Sequence, residues 1–309
     1  MKWEKRGRIF ASGGEGGWMN SHAQIPTVLV LNDRLRIYFA SRPRPDVSLT
    51  AFLDVDIDNP AEILSVHEKP VLEPGPPGAF DEHGIMPCCV FEHEGRVWLY
   101  YSGWSRRASV PYSNWTGLAI SEDGGTTFRK VFPGPVVDRT PEEIYSATAV
   151  YVVKQPGHWH MWYASGTEWP EIGGKFEEVY RIRHGISADG VRWERENREL
   201  LPFRRRHEPT HRPSVIQIGD SWHMWFCHRG VEDFRNGSDA YRIGYARSTD
   251  LETWMRDDAR AGLDVSDRGW DSRMTAYPYV VQARDRVLMF YNGNGFGETG
   301  FGYAVLREE

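Results

Sequence analysis

The sequence lacks an apolar run of the roughly 18 residues that a membrane-spanning helix needs, and its start, MKWEKRGRIF, has no apolar stretch typical of a secretory signal. It has only three cysteines, Cys88, Cys89 and Cys227, which do not make a disulfide framework. Positive charge is not in excess, because the formal net charge is −6, so there is no general nucleic-acid signal. These absences predict a protein of the reducing cytoplasm with neither membrane nor nucleic acid as a partner.

A convincing helical period is also missing. Aromatic residues are abundant instead, with 13 Trp, 14 Tyr and 14 Phe, and 31 Gly and 19 Pro supply many turns. Short β-rich runs alternate with turn-forming pairs such as ND, EG, GD and DG. This pattern predicts an all-β fold.

One unit recurs five times along the chain. Its second strand carries an aromatic anchor, and successive anchors are 62, 62, 63 and 65 residues apart: Tyr38, Tyr100, Trp162, Trp225 and Phe290. Each unit reads as an apolar strand, a tight turn, the aromatic strand, a longer loop, a third strand and a short fourth strand. Four strands repeated radially are typical of a propeller blade. We therefore expect one five-bladed β-propeller domain over residues 1–309.

The last unit stops after its third strand, FGYAVLREE, and its missing fourth strand is predicted at the other end of the chain. The segment KWEKR (2–6) resembles RWERE (192–196), which occupies a fourth-strand position. We expect this N-terminal strand to complete the last blade and close the ring, which would remove exposed sheet edges.

Three turns, SEDGGTTF (121–128), SADGVRW (187–193) and STDLETW (248–254), resemble the Asp-box of sialidases. Asp123, Asp189 and Asp250 are expected to bond the backbone of their own turns. We therefore leave these three aspartates out of the catalytic candidates.

In a propeller, the connections between blades and the loops between second and third strands meet at one end of the central channel. Both loop sets are long here, and function usually follows such loops. Candidates for this channel mouth are acidic, basic, aromatic and amide residues just before the inner strands or in the longer loops. They are His22, Asp81, His83, Trp104, Tyr145, Glu208, His211, Arg212, Arg229, Tyr241, Asp271, Arg273, Asn292 and Asn294.

The phrases HRPSVIQIGDSWHMWF, YRIGYARSTDLETW and MFYNGNGFGETGFGYAVL resemble the five-bladed propellers of glycoside hydrolase families 32, 43, 68 and 130. The resemblance implies carbohydrate chemistry at the channel mouth, carried out by Asp and Glu. Families 32 and 43 have an acidic residue entering the first blade, whereas this chain reads WMNSHAQIP, with Asn20 and His22 there and only Glu15 nearby. Family 130 includes cytoplasmic phosphorolytic enzymes acting on mannosides, with one carboxylic acid and a basic phosphate pocket. The departure from families 32 and 43 favours that variant.

Glycosidic cleavage needs a proton donor and a group that attacks or steadies the anomeric carbon, and paired carboxylates serve both roles. We predict Asp81 and Glu208 as this pair, with Asp271 as a third candidate. Trp104, Trp18 and Trp169 are candidates for stacking on sugar faces. An alternative is that Asp81 and Asp271, found in the similar settings AFDEHG and GWDSRM, are a repeated structural brace.

The basic stretch RRRHEPTHRP (204–213) falls between the third and fourth blades. Arg204–Arg206 are expected at the rim, with Glu208 as an acid and His211 and Arg212 as a grip on an anion. The predicted function is cleavage or transfer of a glycosyl group on an anionic sugar or with phosphate as acceptor, without a cofactor.

Two alternatives stay open. One is a metal-dependent enzyme using His22, His83, His207 and His211 with Asp81 or Glu208. The other is a propeller that binds sugar without catalysis.

Overall fold

The computed structural model describes residues 1–13, 17–235 and 237–307, and strands dominate it. Its strands, in chain order, are β1 (Lys2–Phe10), β2 (Ser21–Val30), β3 (Arg34–Arg44), β4 (Val47–Asp56), β5 (Ile63–Val66), β6 (Gly84–His93), β7 (Arg96–Arg106), β8 (Tyr112–Ser121), β9 (Arg129–Lys130), β10 (Ala147–Gln155), β11 (His158–Glu168), β12 (Glu171–Ile172), β13 (Lys175–Phe176), β14 (Val179–Ser187), β15 (Glu194–Arg195), β16 (Thr210–Ile218), β17 (Ser221–His228), β18 (Arg242–Ser248), β19 (Met255–Arg256), β20 (Ala276–Ala283), β21 (Arg286–Asn292) and β22 (Phe301–Arg307). A 3₁₀ turn (Asp258–Arg260) and a four-residue helical turn (Asn294–Gly297) complete the regular structure of the described residues. The all-β prediction is confirmed.

Antiparallel pairing joins the strands in sets of four. The sets are β2–β3–β4–β5, β6–β7–β8–β9, β10–β11–β14–β15, β16–β17–β18–β19 and β20–β21–β22–β1. The short hairpin of β12 and β13 projects from the loop between β11 and β14 and pairs only with itself. Each set therefore follows the strand order expected for the repeated unit.

The hydrogen-bonded ladder does not run continuously around the described residues. Single parallel bridges, Ser48 with Gly84 and Ala147 with Trp115, connect the first three sets into one twelve-stranded sheet. The last two sets are separate four-stranded sheets. Closure of the ring by backbone pairing, as the sequence suggested, is therefore not observed.

The first and last strands of the chain pair with each other. β1 runs antiparallel to β22, with Lys2 opposite Arg307 and Phe10 opposite Phe301. The predicted completion of the last set by the N-terminal strand is confirmed, and the strand extends to Phe10 rather than ending at Arg6. Trp3 anchors it by packing edge-on against Trp225, with ring centroids 5.2 Å apart.

The aromatic anchors of the second strands pack between neighbouring sets. The Tyr38 hydroxyl donates to the carbonyl of Gly125, and the Tyr100 hydroxyl donates to the carbonyl of Gly190, both at 2.5 Å. Trp162 instead meets Trp254 edge-on at 5.7 Å. Because these three anchors each reach a turn of the following set, this part of the core is a series of contacts between sets.

The aspartate turns have the expected geometry. Asp123 accepts from the backbone N–H groups of Thr126 and Thr127, and Asp250 accepts from those of Glu252 and Thr253. Asp189 does the same with Val191 and Arg192. The backbone N–H groups of Thr253 and Glu252 lower the pKa of Asp250 to about 2, because they stabilise the carboxylate form. The structural role predicted for these aspartates is confirmed.

The three cysteines are buried free thiols. In the described ranges, no helix has the length and apolar character required to cross a bilayer.

Candidate active site

The acids predicted as catalytic form ion pairs with the outermost strands of their sets. Asp81 meets Lys130 of β9 at 2.6 Å and accepts from the Tyr101 hydroxyl at 3.1 Å. Asp271 meets Lys5 of β1 at 2.7 Å and accepts from the Tyr291 hydroxyl at 3.0 Å. The two sites have the same design, with one carboxylate, one lysine and one tyrosine.

We call this pairing of a buried carboxylate with a cation of the outermost strand the carboxylate brace. Two further sets have it, with arginine in place of lysine. Glu143 lies 2.9 Å from Arg195 of β15 and accepts from the Tyr163 hydroxyl at 2.9 Å. Glu208 binds Arg256 of β19 through both carboxylate oxygens, at 2.8 and 2.9 Å. Burial raises the pKa of Glu208, but the bonds to Arg256 outweigh burial and hold the pKa below its usual value.

The carboxylate brace explains the burial of the charged groups of Asp81, Glu208 and Asp271 without a bound substrate. Each carboxylate is buried and already has a cationic partner on an outer strand. None of them lines the cavity described next, and the structure does not bring the three together. The geometry matches the alternative interpretation of Asp81 and Asp271 as a repeated brace and extends it to Glu143 and Glu208.

A cavity of about 390 Å³ lies where the inner strands begin and the second-to-third-strand loops converge. We call it the mouth cavity. Residues from all five sets line it: Gln24, Ile25, Arg42, Pro45, Ser48, Met86, Trp104, Pro111, Tyr112, Asn114, Phe176, Glu177, Tyr180, His211, Arg229, Phe234, Arg235, Tyr241, Tyr277 and Phe296.

A repeated backbone irregularity shapes this end of the inner strands. Ile25, Ala149, Arg212 and Tyr277 all have φ between 52° and 59°, and each lies where the pairing of its strand shifts register. A left-handed conformation is strained for such residues, above all for β-branched Ile25. Bulges of this kind re-aim side chains and are common beside active sites. They turn Ile25 and Tyr277 into the mouth cavity.

Four of the predicted site residues line the mouth cavity: Trp104, His211, Arg229 and Tyr241. Trp104 is held by its indole N–H, which donates to Ser48 Oγ at 2.7 Å. Aromatic rings surround His211, with centroids 5.0 Å away for Tyr180 and 6.0 Å away for Tyr277. The wall therefore presents several flat apolar faces with polar edges, which suits a sugar.

Arginine side chains supply the charge of the mouth cavity. Arg229 is buried, donates to the carbonyls of Gly230 and Glu178, and lies over the Phe234 ring at 3.6 Å. Arg42 donates through two nitrogens to Gln24 Oε1. Within the described part of the chain, neither guanidinium has a carboxylate within ion-pair distance, whereas Arg235 is paired with Glu177 at 2.7 Å. Two of the three guanidinium groups thus keep an uncompensated charge.

His211 is a neutral hydrogen-bonding group in this setting. Burial, together with the positive charges of Arg212 and Arg229, lowers the pKa of His211 to about 3. Its Nδ1 is buried with no hydrogen-bond partner among the described residues. A ligand hydroxyl is therefore a suitable partner for this ring.

Arg212 lies deeper, among the inner strands. It donates to the carbonyl of Cys88 at 2.5 Å and to Thr27 Oγ1 at 2.8 Å, and its guanidinium lies 5.5 Å from the Tyr279 ring centre. It is fully buried and ties together strands of different sets. The predicted grip on an anion by Arg212 is thus replaced by structural contacts across the channel.

The other predicted binding residues lie outside the lining of the mouth cavity. His22 bonds Ser21 Oγ at 3.0 Å, and His83 packs against Trp104 with centroids 5.6 Å apart. Tyr145 and Arg273 are exposed. Asn292 holds the backbone of Ile25 and Ala23, and Asn294 accepts from the N–H groups of Arg273 and Met274.

Sequence reasoning missed several lining residues, notably Arg42, Tyr112, Glu177 and Tyr180, and also Glu178, which lies behind the cavity wall. The segment EEVY (177–180) follows the β12–β13 hairpin, an insertion that interrupts the regular unit. The available signal was two adjacent acids directly before a third strand. These two acids were not considered because the catalytic candidates were chosen from the acids that precede the inner strands.

The histidines proposed as metal ligands are not gathered. His207 bonds Glu168 at 2.8 Å, apart from His22 and His83, which have the separate partners given above. Across residues 1–13, 17–235 and 237–307, no group of three or more His, Cys, Asp or Glu is arranged to hold a metal ion. Glu15, the acid near the first inner strand, lies outside the described residues.

A larger groove of about 540 Å³ is lined by His158, Trp193, Glu252 and the 186–189 turn. These residues belong to the short turns at the other end of the strands. Its lining among the described residues comes from two of the five sets, and the guanidinium there, that of Arg192, is paired with Asp189, so we assign the site to the mouth cavity.

No family model matches the chain. Two curated proteins of Mycobacterium tuberculosis, "Uncharacterized protein MT1551" of strain CDC 1551 / Oshkosh and "Uncharacterized protein Rv1502" of strain ATCC 25618 / H37Rv, are each 37% identical to it over 309 residues. Each alignment covers 99% of this chain and 100% of the relative.

Solved structures show the same fold at low identity. A "Glycoside hydrolase" has a TM-score of 0.75 at 17% identity, covering 98% of this chain and 91% of its own. A thermostable family-43 glycoside hydrolase has 0.67 at 14%, covering 96% and 91%. A protein from a study of the GH130 family of mannoside phosphorylases, which contains glycoside hydrolases that target β-1,2 mannosidic linkages in Candida mannan, has 0.72 at 14%, covering 99% and 93%. The predicted resemblance to propeller glycoside hydrolases of families 32, 43 and 130 is confirmed at the level of fold.

Proposed function

Because the chain belongs to the same family as the two mycobacterial proteins and has the fold of propeller glycoside hydrolases, we propose that it is a carbohydrate-active enzyme. It cleaves or transfers a glycosyl group in the mouth cavity. We also propose that residues 1–309 form one five-bladed domain in the cytoplasm. The five antiparallel sets support the blade count, and the free buried thiols support a reducing compartment.

One observation carries the proposal about the substrate: Arg42 and Arg229 enter the same aromatic cavity without carboxylate partners among the described residues. Uncompensated cations in a partly dry cavity are costly, and an anionic ligand offsets that cost. Guanidinium groups bind phosphate and carboxylate through two parallel hydrogen bonds. The substrate is therefore an anionic sugar, or phosphate is the acceptor.

Among the described residues that line the mouth cavity, Glu177 carries a carboxylate. It is ion-paired with Arg235 at 2.7 Å, and we assign to it the steadying of positive charge at the anomeric carbon. Trp104 and Tyr241 supply faces for the sugar ring, and neutral His211 bonds a hydroxyl. The attacking group is water or phosphate.

The test is turnover. Purified protein is incubated with neutral glycosides, uronate-containing glycosides and sugar phosphates, each with and without inorganic phosphate, while reducing sugar and sugar phosphate are measured. We expect product with at least one anionic partner and a strong loss in Arg229→Ala. Turnover restricted to neutral glycosides, independent of phosphate and unaffected by Arg229→Ala, would contradict the anionic-substrate proposal.

A second candidate is sugar binding without catalysis. It is favoured by the ion pairs that Asp81, Glu208 and Asp271, the acids predicted as catalytic, form in carboxylate braces. This candidate predicts saturable sugar binding in calorimetry with no product in the turnover test.

A further inference from the structure

Glu178 is a buried carboxyl group directly behind the wall of the mouth cavity. It precedes β14, and its Oε1 accepts from Ser146 Oγ at 2.5 Å. Its Oε2 is buried and has no hydrogen-bond partner in the described residues. Gly166 makes this close packing possible, because a side chain there would collide with Glu178 Oε1 and Ser146 Oγ. The backbone is therefore fitted around the carboxyl group.

Two tyrosines connect Glu178 to the cavity. Tyr180 follows two residues later on β14, and its hydroxyl interacts with the Glu178 carboxyl group. Its hydroxyl lies 3.1 Å from the hydroxyl of Tyr112 on β8, and both tyrosines line the mouth cavity. A row of exchangeable protons thus extends from the buried carboxyl group to the cavity.

The surroundings of Glu178 favour its neutral form. Burial raises the pKa of Glu178 to about 7, against the opposing effects of Ser146, Tyr180 and the charge of Arg229. The polar and charged groups that face it are Ser146 before β10, Tyr112 on β8, Tyr180 on β14, and Arg229 and Tyr241 in the loop between β17 and β18. Glu178 therefore differs from its neighbour Glu177, which is paired with Arg235.

We propose that Glu178 is the proton reservoir of the mouth cavity and supplies the leaving group through the hydroxyls of Tyr180 and Tyr112. This inference rests on the proposed function. As the bond between the anomeric carbon and the leaving oxygen breaks, that oxygen takes the Tyr112 proton, Tyr112 takes the proton of Tyr180, and Tyr180 takes the proton of Glu178. An oxygen of water or phosphate forms the new bond to the anomeric carbon, and the proton that this attacking group gives up passes to solvent. Glu178 is left as a carboxylate near Arg229 and regains a proton from solvent after product release.

The kinetic test compares Glu178→Gln with wild type across pH 5 to 9. Glutamine keeps the shape but has no acidic proton, so we expect kcat to fall about 100-fold, the size typical of a lost general acid. KM should change little, and the fall of kcat as pH rises through 7 should disappear. Tyr112→Phe should lower kcat in the same direction, and Glu178→Asp should restore part of it. Glu142→Gln, an exposed acid, is the control.

A second measurement needs no substrate. A raised carboxyl pKa means that the folded state holds a proton that the unfolded state has released, so stability falls as pH rises between the two pKa values. The Tm of wild type relative to Glu178→Gln should therefore fall from pH 5 to pH 8. A Tm difference that stays constant over this range would overturn the assignment of the proton to Glu178.

The two measurements separate the inference from the proposed function. Wild-type turnover together with an unchanged pH profile in Glu178→Gln would overturn the relay and leave the proposed function standing. Absence of turnover on every glycan, combined with the pH-dependent Tm difference, would overturn the proposed function and support the buried proton.

Discussion

Arg229 combines burial, contact with two aromatic rings and a position on the wall of the mouth cavity. Arg273 was predicted for the same role but is exposed, and its backbone carbonyl and N–H bond Arg242 and Asn294. The difference comes from the loops. Arg229, in the loop after β17, lines the mouth cavity, whereas Arg273, in the segment before β20, is exposed. The two arginines therefore form a matched pair for testing the anion site.

Arg229→Ala should weaken binding of a sugar phosphate about tenfold or more, because a hydrogen bond to a charged group contributes about 1.5–3 kcal/mol. Isothermal titration calorimetry at fixed ionic strength measures the change. Arg273→Ala should bind as wild type does. If the two substitutions weakened binding equally, the ligand would be attracted by the overall electrostatic potential of the protein surface and not by a specific contact with Arg229.

Some of the individual residues of the site could be predicted from the sequence. Trp104, His211, Arg229 and Tyr241 were found because their loops could be aligned across the repeats. Glu178 was missed because its pKa depends on burial and on Ser146, which is 32 residues away in the chain. Asp81 was assigned a catalytic role because its partner Lys130, on a different strand, is not apparent from local sequence.

Among the elements, the carboxylate brace explains how the inner and outer strands of one set are held together. The acid precedes the inner strand, the cation lies on the outermost strand, and a tyrosine of the second strand bonds the acid in three of the four sets. In the remaining set Phe226 stacks on Arg256, with the guanidinium 5.2 Å from the ring centre. Such a brace spans the whole width of a set.

Asp81→Ala should lower the free energy of unfolding by about 3 kcal/mol, because removing one partner of a buried pair leaves the other charge uncompensated. Urea unfolding measures the change, and activity per folded molecule should be retained. Asp81→Asn combined with Lys130→Met should recover part of the loss. Asp46→Ala, which removes exposed ion pairs with Arg44 and Arg106, is the control and should have little effect.

Full stability of Asp81→Ala together with abolished turnover would reverse this assignment. It would return Asp81 to the catalytic role that the sequence suggested.

Across the whole molecule, repeat spacing and turn chemistry predicted the all-β fold and the role of β1. The all-β fold and the role of β1 could be predicted because both depend on local sequence patterns that recur along the chain. The pairing between sets was not predicted correctly, since two parallel bridges join sets within residues 1–13, 17–235 and 237–307, and side-chain packing makes further contacts between sets. The cavity lining was only partly foreseen, because bulges at Ile25, Arg212 and Tyr277 re-aim side chains in a way that residue type does not reveal.

Removal of residues 1–10 should expose the edge of β22 and the face of Trp225 that Trp3 covers, and so promote aggregation. Size-exclusion chromatography and circular dichroism measure the outcome. A circular permutant that joins residue 309 to residue 1 through a short turn should stay monomeric, because Lys2 already lies opposite Arg307. A truncated chain that remains monomeric with an unchanged Tm would contradict the role given to β1.

The most direct test of the central claim is a crystal structure of the protein with a hexose 1-phosphate. We expect the phosphoryl group bonded to Arg229 or Arg42 and the sugar ring against Trp104, within the mouth cavity. A ligand bound elsewhere, or an empty mouth cavity at saturating ligand, would contradict this claim.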